Sequence, residues 1–310
     1  MNLLFFGLGS IATKHINVIK MLYKEANLYA FRNSKNGSNI EDVKNLYQFD
    51  EILKKDWSAV FITNPTSKHI DTINKILKFN VPIFIEKPIS NNLDGIDILK
   101  KINENQIMTY VGCNLRFLDC LVYTKKNIIN KFPQKIEEIN IYCGSFLPDW
   151  RNQIDYKSSY SSIKELGGGV HLDLIHEIDY LYWFFGQPKK SSFVLKSNSN
   201  LKISSADYAN YIIEYDNFCV SLILNYYRRK SKRMMEIVYD EFIINVDLLK
   251  NEVRMDNKLI YSSNQTFFET YVKQMKYFMD FIKQTDNSSI NNAEDAFSVL
   301  KISLSNELKQ

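Results

Sequence analysis

The sequence predicts an α/β chain, with a doubly wound parallel sheet in its first part and an α+β arrangement on an antiparallel sheet in its second. Three observations carry this expectation. Short apolar runs alternate with amphipathic stretches from Asn2 to Gly112, the rhythm of strand and covering helix. The pattern Gly7-Leu8-Gly9-Ser10-Ile11-Ala12 closes the first apolar run. After Pro188 the rhythm changes to short strand-like runs punctuated by turn dipeptides.

Element by element, Asn2–Phe6 is a short apolar run ended by glycine, as a buried parallel strand requires. A helix is expected from about Ser10 to Lys24, with Ile11, Ile16, Ile19 and Leu22 on its packed face. Further strands are expected at Asn27–Phe31, Trp57–Thr63, Val81–Ile85 and Met108–Gly112, with helices at Lys68–Phe79 and Leu93–Asn103. One helix is expected from Val170 to Phe185, because glycines precede it and Gly186 and Pro188 follow. On it Asp173 and His176 stand three apart and share a face. Lys135–Tyr142, Ser192–Leu195, Tyr208–Tyr215, Phe218–Asn225, Met235–Tyr239, Phe242–Val246 and Val253–Met255 form the antiparallel sheet. Asp216-Asn217 and Asp240-Glu241 are expected as hairpin turns, and the basic run Arg228–Arg233 as a solvated one. Helices at Phe267–Gln284 and Ala293–Leu308 close the chain. The expected division is a first domain over residues 1–117 and a second over 118–310, the last helix packing back on the first domain.

Composition bounds the function. The 310 residues are 45% hydrophobic and 24% charged, the balance of a soluble globular protein with room for two cores. The net charge of +4 is scattered, which argues against a nucleic-acid partner. The apolar N-terminus lacks a basic leader and reaches Gly7 too soon for a signal peptide, and no run is long enough for a membrane helix. Four cysteines without metal-ligand or disulfide spacing suit reduced thiols in a cytoplasm.

The glycine pattern is where chemistry enters. Its first glycine permits a tight turn, its second lets a pyrophosphate approach the backbone, and Ala12 lets the helix pack closely on the strand. Ser10 and Ile11 open a helix whose N–H groups and dipole attract phosphate. The second strand then ends in Arg32-Asn33-Ser34, without the carboxylate that reads a ribose 2′-hydroxyl in NAD enzymes. Arg32 and Ser34 suit a 2′-phosphate instead, so NADP(H) is favoured over NAD(H).

Four segments together carry a resemblance: Gly7 to Ala12; Thr63-Asn64-Pro65-Thr66 with His69; Glu86-Lys87-Pro88; and Gly167-Gly168-Gly169 with Asp173 and His176. The sequence resembles the Gfo/Idh/MocA family along nearly its whole length. The run from Gly167 to Tyr180 and Leu147-Pro148-Asp149-Trp150-Arg151 look like a subgroup found in surface-polysaccharide and sialic-acid-like sugar pathways. The resemblance implies a Rossmann domain followed by a domain with a large open antiparallel sheet. It implies that Thr63, Asn64, Pro65, His69 and Glu86 attend the dinucleotide, and that Lys87 points at nicotinamide and substrate. Asp173 and His176 become the other polar catalytic groups, although better-known members separate the two by three residues and here only Leu174 and Ile175 intervene. Asn114 and Arg116 become candidates to face substrate at the domain junction.

Hydride transfer from an alcohol needs a base for the hydroxyl proton, a role open to a lysine or histidine in a protected site. Trp150, Arg151 and Tyr160 lie in a polar, aromatic stretch suited to sugar faces and to carboxylate or phosphate. A metal site is not expected, since His171 falls on the far side of the helix from Asp173. The expected activity is oxidation or reduction of a sugar or sugar-nucleotide by NAD(P), in a homodimer or homotetramer associated through the second domain's sheet. Two alternatives stay open: a glycosidase that recycles a tightly held NAD, and a non-catalytic dinucleotide sensor.

Overall fold

The computed structural model describes residues 1–35, 39–132, 134–151, 155–283 and 289–306. The expected helix ends at Gln284 and Leu308 lie outside the described residues. Two compact units divide the chain. The first comprises Met1–Cys113 and Tyr271–Phe297; the second comprises Asn114–Thr270 and the chain from Ser298 on. The boundary thus falls a few residues before the expected Phe117. The segment that returns to the first unit is most of the penultimate helix and the start of the last one.

In the first unit, β1 (Asn2–Phe6), α1 (Ser10–Leu22), β2 (Asn27–Phe31), β3 (Val43–Leu46), α2 (Phe49–Leu53), β4 (Ala59–Ile62), α3 (His69–Ile76), β5 (Ile83–Glu86), α4 (Ile98–Glu104) and β6 (Thr109–Gly112) follow in order. The strands form a parallel sheet of order β3-β2-β1-β4-β5-β6, so the order of strand addition reverses between β1 and β4. β1, β4 and β5 are apolar because both sheet faces are covered. Phe5 stacks on Phe61 at 4.5 Å and Phe61 on Phe84 at 5.3 Å, with Phe278 edge-on to both. β3 escapes the sequence expectation because it is an edge strand of four residues, two of them lysine and asparagine.

The second unit contains α5 (Asp119–Tyr123), β7 (Ile136–Phe146), α6 (Val170–Asp173), α7 (His176–Phe185), β8 (Lys190–Lys196), β9 (Tyr208–Glu214), β10 (Cys219–Asn225), β11 (Tyr227–Tyr239), β12 (Ile243–Asp247), β13 (Glu252–Met255) and β14 (Lys258–Ser262). The two last helices, α8 (Phe267–Phe281) and α9 (Ala293–Leu304), are shared between the units. The sheet order is β14-β13-β12-β11-β7-β10-β9-β8, antiparallel except for the β7–β10 pair.

Two expectations are corrected here. Residues 228–233 do not form a hairpin turn: β10 and β11 flank β7 on opposite sides, and the basic residues start β11, where the register slips between Tyr227 and Lys232. The chain therefore crosses the end of β7 at Tyr226. The expected single helix from Val170 to Phe185 is two helices. Leu174, at φ −98° and ψ 29°, leaves the helical region, so Asp173 ends α6 and His176 begins α7. The Asp216-Asn217 and Asp240-Glu241 turns form as expected, with Tyr215 N–H bonded to the Phe218 carbonyl and Tyr239 N–H to that of Phe242. Among the described residues no helix is long and apolar enough to cross a membrane.

Candidate active site

In the first unit, the turn after β1 is built for a close-approaching ligand. Gly7 has φ +94°, and a Cβ there would lie 2.8 Å from the Asn64 Cα, so a side chain is excluded twice over. Thr63 Oγ1 pins the turn by donating to the Phe6 and Gly7 carbonyls. A Cβ on Gly9 would meet no protein atom within 4 Å, which leaves open space on the side where phosphate would come. Gly9 caps α1 without a side-chain hydrogen bond, and the first turn, which includes exposed Ser10 and half-buried Ile11, contains no acid. Its N–H groups are thus left for an anion, and Ala12 is fully buried beneath them. These features fit a dinucleotide pyrophosphate.

A cleft of about 1110 Å³ opens beside this turn, lined among others by Gly7, Phe31, Arg32, Ser34, Asn64 and Pro65. Arg32 Nη1 donates to Asn39 Oδ1 at 3.0 Å and Asn45 Oδ1 at 3.4 Å, which steadies the guanidinium on the cleft wall. Lys68, Lys75 and Lys78 also line it, with Asp71 as the acid among them. Asn64 Nδ2 donates to Thr72 Oγ1 at 2.8 Å. His69 is buried and lies between two carbonyls, Asn64 O at 2.9 Å and Pro88 O at 3.0 Å, so it braces the loops after β4 and β5. Desolvation pushes its pKa below the usual histidine value.

β5 ends at Glu86, and the next peptide bond, Lys87–Pro88, is cis. Glu86 is buried, with Oε1 2.5 Å from His15 Nε2 and Oε2 accepting the Lys87 N–H at 3.3 Å. Lys87 is half-buried.

In the second unit, Asp173 is the hub of a polar cluster. Tyr226 Oη donates to Asp173 Oδ2 at 2.5 Å, and the Tyr160 phenol bonds the same carboxylate. The Asp173 charge, with burial, holds the Tyr160 phenol far above its usual pKa; burial first and then Asp173 do the same for Tyr226. Both tyrosines are therefore proton donors at neutral pH. Trp150 stands edge-on to Tyr226 with ring centroids 5.3 Å apart, and Arg151 lies 5.4 Å from the Tyr160 ring centroid. Buried His176 opens α7, and burial lowers the neighbouring His171 to about 4.

Asn114 and Arg116, expected to face substrate, are held inside the second unit. Asn114 Nδ2 donates to Thr270 Oγ1 at 2.7 Å. Arg116 grips Asp179 in a bidentate pair of 2.8 and 3.0 Å, both side chains almost fully buried. A second buried pair joins Arg233 to Glu177. Sequence reasoning passed over His15 and Tyr226. His15 carried a signal, as a polar residue on the Ala12, Ile16 and Ile19 face of α1, whereas Tyr226 is placed by a strand crossing that no local pattern announces.

Comparison with known proteins matches this two-part architecture. Residues 1–112 match the oxidoreductase family's NAD-binding Rossmann fold, and residues 133–239 match its C-terminal alpha/beta domain. The chain belongs to the Gfo/Idh/MocA oxidoreductase family. Among its relatives, myo-inositol 2-dehydrogenase of Thermotoga maritima is 21% identical over 320 residues, covering 95% of this chain and 92% of the relative. A scyllo-inositol dehydrogenase from Lactobacillus casei, solved with NAD(H) and scyllo-inositol, superimposes with a TM-score of 0.79 at 21% identity, over 98% of this chain and 95% of the other. A UDP-N-acetylglucosamine 3-dehydrogenase from Acidithiobacillus ferrooxidans gives 0.77 at 17% identity, over the same shares. At such identities the Gfo/Idh/MocA structures bear on the fold alone.

Proposed function

We propose that the chain is an NAD(P)-dependent dehydrogenase or reductase acting on a hydroxyl or carbonyl group of a sugar or sugar-nucleotide. The observation that carries this reading is the uncapped start of α1 behind the open face of Gly9, in the unit that presents Lys87 at the end of β5. A bound nicotinamide dinucleotide would supply the two-electron exchange. Gly7, Gly9, Ser10, Ile11 and Ala12 hold its pyrophosphate, and Thr63, Asn64, Pro65 and His69 shape the adjoining wall. Lys87 exchanges the proton of the reacting hydroxyl, and Asp173 and His176 hold and orient the sugar with Trp150, Arg151 and Tyr160. Asn114 and Arg116 act on substrate only through the packing they maintain. The names of the inositol and sugar-nucleotide relatives support this substrate range.

The favoured cofactor is NADP(H), with Arg32 and Ser34 reading the 2′-phosphate at the cleft. The protein acts as a homo-oligomer through the open side of its large sheet, where Val194, Ile212, Ile243 and Leu259 are exposed. Titration with NADPH and NADH, followed by turnover on inositols and UDP-N-acetylhexosamines, tests the reading. Micromolar dinucleotide binding with reduction or oxidation of one such substrate is expected. Failure of both dinucleotides to bind would overturn it.

A further inference from the structure

The eight-stranded sheet packs one face under the second unit's helices, as the Arg233–Glu177 pair and the Ser191 bond to the Ile302 carbonyl show. Its other face is open and carries an ordered pattern of charge, which the strand register lays out in rows. The middle row is Met234, Tyr142, Ile223 and Asn210, uncharged and half-buried, and it continues into exposed Val194. To one side of it Glu236 pairs with Asn140, and the next row is Val238, Glu138, Cys219 and Glu214. To the other side Lys232 pairs with Gly144, and beyond it lie Arg228, Arg229 and Lys230, beside Phe146. The Lys232 ammonium is 5.1 Å from the Tyr142 ring centroid, and the Arg229 guanidinium carbon is 3.8 Å from that of Phe146. Lys232 and Glu236 therefore stand at equal distances on either side of Met234, and Phe146 with Arg229 mirrors Glu138 about Tyr142. The remaining charges belong to the outer strands: Lys190 and Lys196 on β8, Asp247 on β12, and Glu252 paired with Arg254 on β13.

We propose that this face seats a second copy of the chain about a two-fold axis running across the strands, along the Met234–Tyr142–Ile223–Asn210 row. The proposal rests on the reading that the protein associates through its open sheet, and it adds the register. A two-fold interface must be complementary to itself. Rotation about this axis lays each strand antiparallel over its own copy, within the crossing angle of about 30° that twisted sheets adopt. Glu236 then meets the partner's Lys232 and Glu138 meets the partner's Arg229, each contact occurring twice. An axis along the strands would instead set Lys232 against Lys232 and Glu236 against Glu236, which like charges oppose. Eight strands about 4.8 Å apart, spanned by steps of about 3.4 Å from Lys232 to Val238, give the face roughly 800 Å². That is one partner's share of a standard stable interface.

Sedimentation velocity on the full chain tests the register. Lys232→Glu and Glu236→Lys each create two like-charged contacts across the axis, so each is expected to raise the dissociation constant about a hundredfold. Mixing the two single variants in equal amounts should restore association, because both contacts then join opposite charges. The double variant Lys232→Glu/Glu236→Lys should associate alone for the same reason. Thermal melting and dinucleotide titration check that each variant is folded. Single variants that associate as the wild type does would overturn the register and leave association through the sheet in place. So would single variants that dissociate and fail to recover on mixing. A wild type that stays monomeric at tens of micromolar would overturn the association itself.

Discussion

Replacing Asp179 by alanine removes the counter-charge of an arginine that is 3% exposed. Arg116 donates to Asp179 through Nε at 3.0 Å and Nη2 at 2.8 Å, so the substitution breaks a bidentate, desolvated pair. Breaking such a pair from one side costs about 3–5 kcal/mol, since the remaining charge stays buried. With a urea slope of roughly 2 kcal/mol/M, the unfolding midpoint should fall by about 2 M. Trp183 has its ring centroid 6.0 Å from the Arg116 guanidinium carbon, so intrinsic fluorescence reports on this region directly. The double variant Arg116→Met/Asp179→Leu should regain most of the loss, because well-packed apolar pairs replace buried ion pairs at little net cost. A midpoint shift below about 0.5 M for Asp179→Ala would refute the structural assignment of Arg116. So would an Arg116→Met protein of normal stability whose only defect is a raised KM.

Other outcomes follow from the same geometry. Gly7→Ala should abolish dinucleotide binding, since its Cβ would strike the Asn64 backbone at 2.8 Å and its φ is +94°; titration with NADPH checks this. Arg32→Ala should weaken NADPH about tenfold to hundredfold while leaving NADH nearly unchanged, the worth of charge-assisted bonds to a 2′-phosphate; equal weakening of both would remove Arg32 as the reader. Tyr226→Phe should reduce kcat by about tenfold or more with little change in dinucleotide affinity, because Asp173 loses a buried donor at 2.5 Å; steady-state kinetics distinguish the two effects. Burial lowers His171 from its usual 6.5 to about 4, so between those pH values the unfolded chain binds the proton and the folded chain does not. Stability therefore rises with pH across that window and is lost as pH falls through it, by on the order of 3 kcal/mol. His171→Gln should flatten this slope in urea melts recorded at several pH values.

The first unit was legible because its signals are local. Apolar runs ended by glycine mark β1 and its turn, and Glu86-Lys87-Pro88 sits at a strand end where sequence placed it. The missed strands, β3 and β14, are short edges with polar residues, where burial leaves little pattern. The second unit was less legible because its decisive features are long-range. Tyr226 reaches Asp173 only because β10 and β11 lie on either side of β7. Asp173 and His176 look like neighbours on one helix face until Leu174 departs from helical geometry. Arg116 and Asp179 are 63 positions apart, and nothing in either segment alone distinguishes an internal ion pair from a substrate contact.

The most direct test of the central claim measures kcat and dinucleotide Kd together for Lys87→Ala, on whichever inositol or UDP-sugar the wild type turns over. A loss in kcat of about a hundredfold or more is expected, as for removal of a general base, with Kd changed less than about threefold. Unchanged kcat, with Kd likewise unchanged, would contradict it.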